Sequence, residues 1–303
     1  MITLKAEKLL AELPDLDVVR DERLAPRTSY RIGGPAALSV TAHTYSALMH
    51  ALAILDDEKA DWVVLGRGSN VLVADRGYDG CVVRLGREFS RISIGEEGEL
   101  TIGGGAQLSR VVASCQKEGL SGLEMCVGVP GSVGGAVYMN AGTRTEWICR
   151  CITSVVTLNP GHGLKRYAAS DLDWGYRTAS LPGGELVLEA TLSMERADPA
   201  EIAAEMERRM SYRRRNQPLS KPSCGSVFRN PPDLSAGKLV ESVGLKGARC
   251  GDAQISEVHA NFVVNNGRAT ANDVLTLISK MHDEVLRHHG IDLYPEVKFL
   301  GFM

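Results

Sequence analysis

A hydroxyl, a guanidinium and an amide lie close together in the stretch from Ser223 to Pro231, which contains Ser-Cys-Gly-Ser-Val-Phe-Arg-Asn-Pro. Two small residues precede Ser226 and leave its hydroxyl accessible. A hydrolase nucleophile elbow would need Gly-x-Ser-x-Gly, and Phe228 stands where the second glycine would be. The serine is therefore better suited to donate a proton or a hydrogen bond. An ordinary turn before a short strand is an equal alternative on this segment alone.

Two glycine-rich loops contain the groups that bind anions in many proteins. Glycine lets backbone N–H groups approach a phosphate, and neither loop has the Gly-x-Gly-x-x-Gly or P-loop pattern. Each loop taken singly is more often a tight turn, but both carry Ser or Asn donors, which favours anion binding. The candidate anion-binding residues are Gly66, Arg67, Gly68, Ser69, Asn70, Gly128, Pro130, Gly131, Ser132, Gly134, Gly135, Asn140 and Gly142.

Further charged side chains could act with Ser226. Arg177, next to Tyr176, and Glu296, near the C-terminus, would supply a guanidinium and a carboxyl, so that a hydroxyl could deliver a proton to carbon while the cation polarises a substrate carboxylate. Five arginines also end a predicted helix shortly before Ser226, and they form either a solvated helix face or a phosphate-binding cluster. These are Arg208, Arg209, Arg213, Arg214 and Arg215.

Composition describes an ordinary globular chain of 303 residues with 34 basic and 37 acidic side chains. The net charge of -3 gives no indication of nucleic-acid binding, and no apolar run approaches a membrane span. The N-terminus lacks the features of a signal or transit peptide, which predicts a cytoplasmic protein. Seven cysteines without a Cys-x-x-Cys pair argue against a disulfide framework and a zinc ribbon, and the histidines show no metal-ligand spacing, so we expect no metal.

Hydrophobic periodicity predicts strands and helices that intermix throughout the chain. We expect a helix over residues 44–56, a buried strand over 62–65, and a helix that buries Leu108 to Cys115 and ends at Gly119. Asp198 and Pro199 start a further helix that would bury Ile202, Met206 and Met210, and a capping signal begins at Thr270. Domain boundaries fall most naturally near residues 86 and 205.

Seven ordered motifs resemble the UDP-N-acetylenolpyruvoylglucosamine reductase (MurB) family along nearly the whole chain. The spacing of 49 residues from Arg177 to Ser226 is too short for the inserted lid of one class of that family, so the chain resembles the other class. The motifs are Thr28-Ser-Tyr-Arg-Ile-Gly-Gly-Pro-Ala36, Leu65-Gly-Arg-Gly-Ser-Asn-Val-Leu72, Gly131-Ser-Val-Gly-Gly135 with Asn140-Ala-Gly142, Gly175-Tyr-Arg177, Gly225-Ser-Val-Phe-Arg-Asn-Pro231, His259-Ala-Asn-Phe-Val-Val-Asn265 and Pro295-Glu-Val297.

The resemblance implies a fold, cofactors and a reaction. It predicts a two-lobed FAD-binding domain of the vanillyl-alcohol-oxidase type, with lobes over residues 1–86 and 87–205, and an α+β substrate-binding domain over 206–303. FAD would be held noncovalently by the two glycine loops and reduced by NADPH. Hydride would then pass to the enol ether of UDP-N-acetylglucosamine enolpyruvate, giving UDP-N-acetylmuramate in peptidoglycan precursor synthesis. No nucleic-acid partner or membrane insertion is expected, and the oligomeric state stays open.

The same resemblance assigns roles to individual residues. Ser226 matches the family's proton donor, while Arg177 and Glu296 match groups that stabilise an enolate-like intermediate. Tyr176 and Asn230 match substrate-contacting positions, and Arg214 falls about where a basic residue meets the diphosphate.

Three departures from the family pattern leave the pocket width and flavin contacts open. Ala179 replaces a usual serine, residues 143–145 (Thr-Arg-Thr) replace a glycine-rich turn, and Val258 replaces a common lysine. Two other functions also fit: a flavin oxidase that uses dioxygen, and a nucleotide-sugar-binding protein that has lost its flavin. The absence of a histidine in either glycine loop argues against the covalent flavin of many oxidases, and the intact motifs argue against the binding protein.

Overall fold

The computed structural model describes residues 2–302, which form two compact units built from segments that are not consecutive in the chain. Unit 1 comprises residues 2–20, 38–67 and 80–211, and unit 2 comprises 21–37, 68–79 and 212–302. The domain boundaries expected near residues 86 and 205 stay a prediction, because division by compactness does not say which residues bind a cofactor or a substrate.

Strands and helices intermix throughout residues 2–302, in agreement with the predicted α+β class. The helices are α1 Leu4–Ala11, α2 Tyr45–Asp57, α3 Leu108–Lys117, α4 Val133–Tyr138, α5 Pro199–Asn216, α6 Ala236–Ser242 and α7 Ala271–His289. The strands are β1 Leu16–Arg23, β2 Pro35–Ala42, β3 Trp62–Val64, β4 Val71–Val73, β5 Tyr78–Leu85, β6 Ile92–Ile94, β7 Glu99–Gly103, β8 Leu120–Ser121, β9 Ile152–Asn159, β10 Gly163–Ala168, β11 Trp174–Gly175, β12 Thr178–Ala179, β13 Leu186–Ser193, β14 Glu195–Arg196, β15 Arg249–Cys250, β16 Ala253–Ile255, β17 Val263–Asn265 and β18 Lys298–Leu300.

Unit 1 contains a five-stranded sheet with the order β10-β9-β13-β7-β6, whose neighbouring strands are antiparallel. Helix α4 packs against β13 and β7 of this sheet. Helix α3 buries Leu108, Val111, Val112 and Cys115 in the same core, as its spacing predicts. A second sheet has the order β1-β2-β5-β3, and α2 buries Leu48, Leu52 and Leu55 in the core beside it.

Unit 2 has its own core around helix α7. The capping box predicted at Thr270 is present, since its hydroxyl accepts from Asp273 N at 3.0 Å and Asp273 Oδ2 accepts from Thr270 N at 2.9 Å. Gly290 ends the helix with φ of 65°, a left-handed value that favours glycine. The antiparallel sheet β15-β16-β17 packs against α7, and β18 pairs with β4 in parallel.

Three local expectations differ from the structure. The strand predicted over residues 62–65 is half-buried rather than buried at its three strand positions. Helix α5 begins after Asp198, whose Oδ1 accepts from Ala200 N at 2.8 Å, but it fully buries only Ile202, while Met206 and Met210 are half-buried. The second glycine stretch is not a loop throughout, because α4 begins at Val133. No helix within residues 2–302 has the length and apolarity needed to cross a membrane.

Candidate active site

The segment from Ser226 to Arg229 is fixed by backbone hydrogen bonds on both of its edges within unit 2. On one edge, Val227 N donates to Asn261 O at 2.8 Å. On the other, Glu296 N donates to Val227 O at 2.7 Å and Arg229 N donates to Tyr294 O at 2.9 Å. This pairing places the main chain of Glu296 against Val227, the residue after Ser226, although 70 positions separate Ser226 from Glu296 in the sequence.

The turn before this segment leaves the Ser226 hydroxyl unengaged. Gly225 has a φ of +77°, which a side chain would strain, so a glycine is needed immediately before the serine. Ser226 is half-buried, and its hydroxyl makes no hydrogen bond to any residue in the range 2–302. A half-buried hydroxyl with no partner among the described residues can act on a bound molecule as a hydrogen-bond or proton donor.

The neighbouring thiol is not an alternative reactive group. Cys224 is buried, and its Sγ donates to Val71 O at 3.0 Å. Burial raises the pKa of the Cys224 thiol well above its usual range, so the group stays protonated at neutral pH. All seven cysteines are free thiols in the structure, and Cys81, Cys115, Cys126 and Cys224 are buried.

Asn70 and Asn230 use their side chains within unit 2. Asn70 Nδ2 donates to the main-chain oxygen of Glu296 at 3.0 Å, and Lys298 N donates to Asn70 O at 3.0 Å. The end of the first glycine loop is thereby joined to the segment that carries Glu296 and leads into β18. Asn230 Oδ1 accepts from Ala236 N at 3.0 Å, at the first residue of α6. Their predicted contacts with cofactor and substrate stay predictions.

Close contacts with neighbouring atoms leave little room for side chains at two glycine positions of the first loop, Gly66 and Gly68. A Cβ at Gly66 would collide with Ser132 Oγ, which places the two glycine stretches side by side in unit 1. In unit 2, Gly68 lies against the main chain of Arg27 and Thr28, and its carbonyl accepts from Ser29 N at 2.9 Å. The start of the motif at Thr28 therefore packs against Gly68 of this loop and donates a hydrogen bond to its carbonyl.

The second glycine stretch leads directly into α4. Ser132 is the N-cap residue, and its Oγ accepts from Gly135 N at 3.3 Å. Gly134 N donates to Gly104 O at 2.8 Å, and Gly131 has a φ of 137°. Because Gly134 and Gly135 belong to a helix, their N–H groups serve the fold, and Ser132 is the residue that meets the first loop.

A two-residue hairpin turn carries Tyr176 and Arg177. Strands β11 and β12 pair Trp174 with Ala179 and Gly175 with Thr178, which leaves the two functional candidates at the tip. Arg177 has a φ of 58°, an uncommon value for a residue with a side chain. Its Cζ lies 5.1 Å from the centre of the Tyr176 ring, within range of a cation–π interaction.

Asn140 supports this hairpin from the second glycine stretch. It is fully buried, and its Nδ2 donates to Gly175 O at 2.9 Å while its Oδ1 accepts from Cys149 N at 3.3 Å. Both ends of the amide are therefore occupied by protein groups. The sequence indicated Asn140 only as an anion-binding residue, and its role in holding the base of the Arg177 hairpin was missed.

The arginine run divides into two parts. Arg209 Nη1 lies 2.7 Å from Glu146 Oε2, and Arg208 Nη2 lies 2.6 Å from Glu205 Oε1. Hydrogen bonding from Arg208 holds the pKa of Glu205 at about 2. The first two arginines are thus paired with carboxylates of unit 1. The interpretation of the five-arginine run as a phosphate-binding cluster is weaker for that reason. Arg214 lies beyond them in unit 2 and is exposed.

The residues that depart from the family pattern lie in a hairpin strand, in a turn and on the surface. Ala179 is buried opposite Trp174 in the hairpin strands. The Thr143 hydroxyl accepts from Thr145 N at 3.3 Å and from Glu146 N at 3.1 Å, so a side chain closes the turn where glycine is usual. Val258 has a side chain that is 51% exposed, so it changes surface charge rather than packing.

Comparisons with known proteins agree with this architecture over nearly the whole chain. Residues 36–163 match the FAD binding domain family, and residues 217–300 match the UDP-N-acetylenolpyruvoylglucosamine reductase, C-terminal domain, family. The UDP-N-acetylenolpyruvoylglucosamine reductase of Bacillus licheniformis is 39% identical over 97% of this chain and 99% of its own length. The corresponding protein of Bacillus subtilis is 40% identical over 97% of this chain and 99% of its own length.

A solved structure gives the same result. The crystal structure of UDP-N-acetylenolpyruvylglucosamine reductase (MurB) from Thermus caldophilus superposes with a TM-score of 0.80 at 36% identity, covering 94% of this chain and 98% of that one. Together with the motifs around Ser226, Arg177 and the two glycine stretches, these similarities show that the chain belongs to the UDP-N-acetylenolpyruvoylglucosamine reductase family of FAD-dependent oxidoreductases.

Proposed function

We propose that the protein reduces UDP-N-acetylglucosamine enolpyruvate to UDP-N-acetylmuramate, with NADPH as reductant and noncovalent FAD as cofactor. One NADPH and one proton are consumed for each enolpyruvyl ether converted to a lactyl ether. The observation that best supports the site is the main-chain pairing of residues 227–229 with 294–297, which makes the segment that carries Ser226 a neighbour of the segment that carries Glu296. Peptidoglycan precursor synthesis in the cytoplasm is the setting that this reaction implies.

The first glycine loop fits a cofactor that contains a pyrophosphate. The N–H groups of Gly66, Arg67 and Gly68 donate no hydrogen bond to any residue in the described range 2–302, so they are available to phosphate oxygens. A Cβ at Gly66 would overlap Ser132 Oγ, so a side chain there would have to displace this hydroxyl. We propose that these residues hold FAD, together with the remaining candidates Ser69, Asn70, Gly128, Pro130, Gly131, Gly134, Gly135, Asn140 and Gly142.

The charges of the reaction explain why a cation and a carboxyl are needed. The glycine stretches would hold FAD, which, after reduction by NADPH, would provide the hydride for the methylene carbon of the enolpyruvyl group. Negative charge then develops on the adjacent carbon and on the substrate carboxylate. Arg177 would stabilise this charge through its guanidinium, since a fixed cation acts most strongly where water is excluded. Glu296, whose main chain is bonded to Val227, would complete the stabilisation of the enolate-like intermediate.

Ser226 is suited to the proton transfer that follows. An alcohol is a weak acid, so it can give up a proton only to a stronger base, and a carbanion beside a carboxylate is such a base. The fixed backbone at residues 226–229 would hold the hydroxyl toward the carbon that carries the ether oxygen. Tyr176, Asn230 and Arg214 are proposed to contact the substrate, with Arg214 near the diphosphate.

Two measurements on the purified protein test this function. The protein should be yellow, and acid precipitation should release FAD into the supernatant, because neither glycine stretch, 66–70 or 128–142, contains a histidine or cysteine that could tether it. NADPH consumption should then depend on added UDP-N-acetylglucosamine enolpyruvate. Flavin that stays with the pellet would overturn the noncovalent assignment. NADPH consumption that requires dioxygen and ignores the enolpyruvyl sugar would indicate an oxidase instead.

A further inference from the structure

Asn261 contacts the reactive segment through both its side chain and its main chain. Asn261 Oδ1 accepts from Phe228 N at 3.0 Å, and Asn261 Nδ2 donates to Phe228 O at 2.8 Å. Its main-chain oxygen accepts from Val227 N at 2.8 Å. The residue is buried, with 2% of its surface exposed. One amide side chain therefore replaces the peptide group that a neighbouring strand would offer to Phe228.

Asn261 is itself held in a tight turn. The turn is closed where Ser256 N donates to Phe262 O at 2.8 Å and Phe262 N donates to His259 O at 3.0 Å. Asn261 N donates to His259 Nδ1 at 3.2 Å. Burial lowers the pKa of His259 below its ordinary value of 6.5, so the ring is neutral at neutral pH and its Nδ1 can accept this bond.

We propose that Asn261 is a positioning residue for Ser226, an inference that rests on the proposed function. The opposite edge of the segment is bonded to residues 294–297, so the amide sets the lateral position of the backbone that carries the hydroxyl. A displacement of about 1 Å at a reacting group can lower a rate by roughly 10²-fold. Asn261 thus acts on the proton transfer through Ser226 and has no role in the delivery of hydride to FAD.

The variant Asn261→Asp tests this inference because its effect depends on pH. The two side chains have the same shape, but an ionised carboxylate repels Phe228 O, whereas the protonated carboxylic acid can donate to it. Burial raises the pKa of the introduced carboxyl, so the protonated form is populated as pH falls toward mildly acidic values. Reoxidation of reduced FAD by the enolpyruvyl sugar should slow by about tenfold or more at mildly alkaline pH and recover as pH falls. Reduction of FAD by NADPH should stay near the wild-type rate throughout.

A matched control and a second variant accompany this test. Asn272→Asp makes the same chemical change at an exposed position of α7 and should leave both half-reactions unchanged. Asn261→Gln keeps the amide on a longer side chain, so it should fold and slow only the reoxidation. It serves in place of Asn261→Asp if that variant does not fold.

Amide hydrogen exchange gives a result that does not depend on turnover. The peptide containing residues 226–230 should exchange faster in Asn261→Asp than in Asn272→Asp at alkaline pH, with the difference shrinking at acidic pH. If wild-type protein does not use the enolpyruvyl sugar, the proposed function fails, and exchange alone decides whether Asn261 positions the segment. Equal slowing of both half-reactions, or wild-type exchange and reoxidation in Asn261→Asp and Asn261→Gln, would overturn the inference.

Discussion

Two regions of the molecule present their functional side chains in different ways. Ser226 lies on an extended segment of unit 2 that is bonded along both edges, by Asn261 and by residues 294–297. Arg177 lies at the tip of a two-residue turn in unit 1, with a left-handed φ of 58°. The proposed proton donor is thus placed by hydrogen bonds, and the proposed cation is placed by an unusual backbone conformation. Substitutions in the two regions should therefore impair the protein in different ways.

Removal of the Ser226 hydroxyl should have the largest effect. Ser226→Ala should slow reoxidation of the flavin by the enolpyruvyl sugar by on the order of 10²-fold or more, as for loss of a general acid. Its bound FAD should still be reduced by NADPH at a near-normal rate. Ser226→Cys, a stronger acid of similar size, should recover part of the loss. Stopped-flow spectroscopy follows both steps, and Ser279→Ala on the exposed face of α7 is the control.

Loss of the arginine fork should have a comparable but somewhat smaller effect. Arg177→Lys keeps the positive charge and loses the bidentate geometry, so turnover should fall by roughly two orders of magnitude with FAD still bound. Arg110→Lys, at an exposed position of α3, should change nothing. Near-normal steady-state turnover in the Arg177 variant would remove this residue from the mechanism.

Contact between the glycine stretches should control cofactor binding more than catalysis. In Gly66→Ala the new Cβ would displace the Ser132 hydroxyl, which caps α4, and loss of such a cap costs about 0.5–2 kcal/mol. FAD affinity should therefore drop by about tenfold, measured by fluorescence titration of the apoprotein. Gly183→Ala is a matched control because a Cβ there meets no atom within 4 Å. Unchanged affinity in the Gly66 variant would contradict the assignment of this loop to FAD.

The smallest expected effect concerns stability, at a residue of α7 that belongs to neither region. His282 lies 2.9 Å from Asp283 Oδ1 and 2.8 Å from Asp292 Oδ1, and hydrogen bonds to these carboxylates raise its pKa above 6.5. Its contribution is therefore fully present below the ordinary pKa and is lost as pH rises through the higher folded value. Urea unfolding should show that His282→Gln lowers stability slightly at acidic pH and not at alkaline pH. An equal loss of stability at acidic and at alkaline pH would show that protonation of His282 plays no part.

Local signals predicted some elements well and left others unseen. Helix α7 follows from Thr270, Asp273 and Gly290, because its start and stop depend on neighbouring residues alone. The motifs also identified Ser226, Arg177 and Glu296 as candidates. The hairpin of β11 and β12 was missed, since Tyr176 and Arg177 carry no turn signal.

The supporting amides were missed for a different reason. Asn140 and Asn261 hold backbone groups that lie 35 and 33 positions away, and no local pattern encodes a contact at that separation. Asn261 lies within the motif that begins at His259, yet only the folded chain reveals the pairing with Phe228.

Anaerobic stopped-flow spectroscopy on the wild-type protein tests the central claim most directly. NADPH should first bleach the visible absorbance of the bound flavin, and UDP-N-acetylglucosamine enolpyruvate, added without dioxygen, should then restore it with formation of UDP-N-acetylmuramate. In deuterium oxide the product should carry one solvent deuteron at the carbon bonded to the ether oxygen, because that is where Ser226 is proposed to deliver the proton. Flavin that stays bleached until dioxygen is admitted, or a product without deuterium at that carbon, would contradict the account.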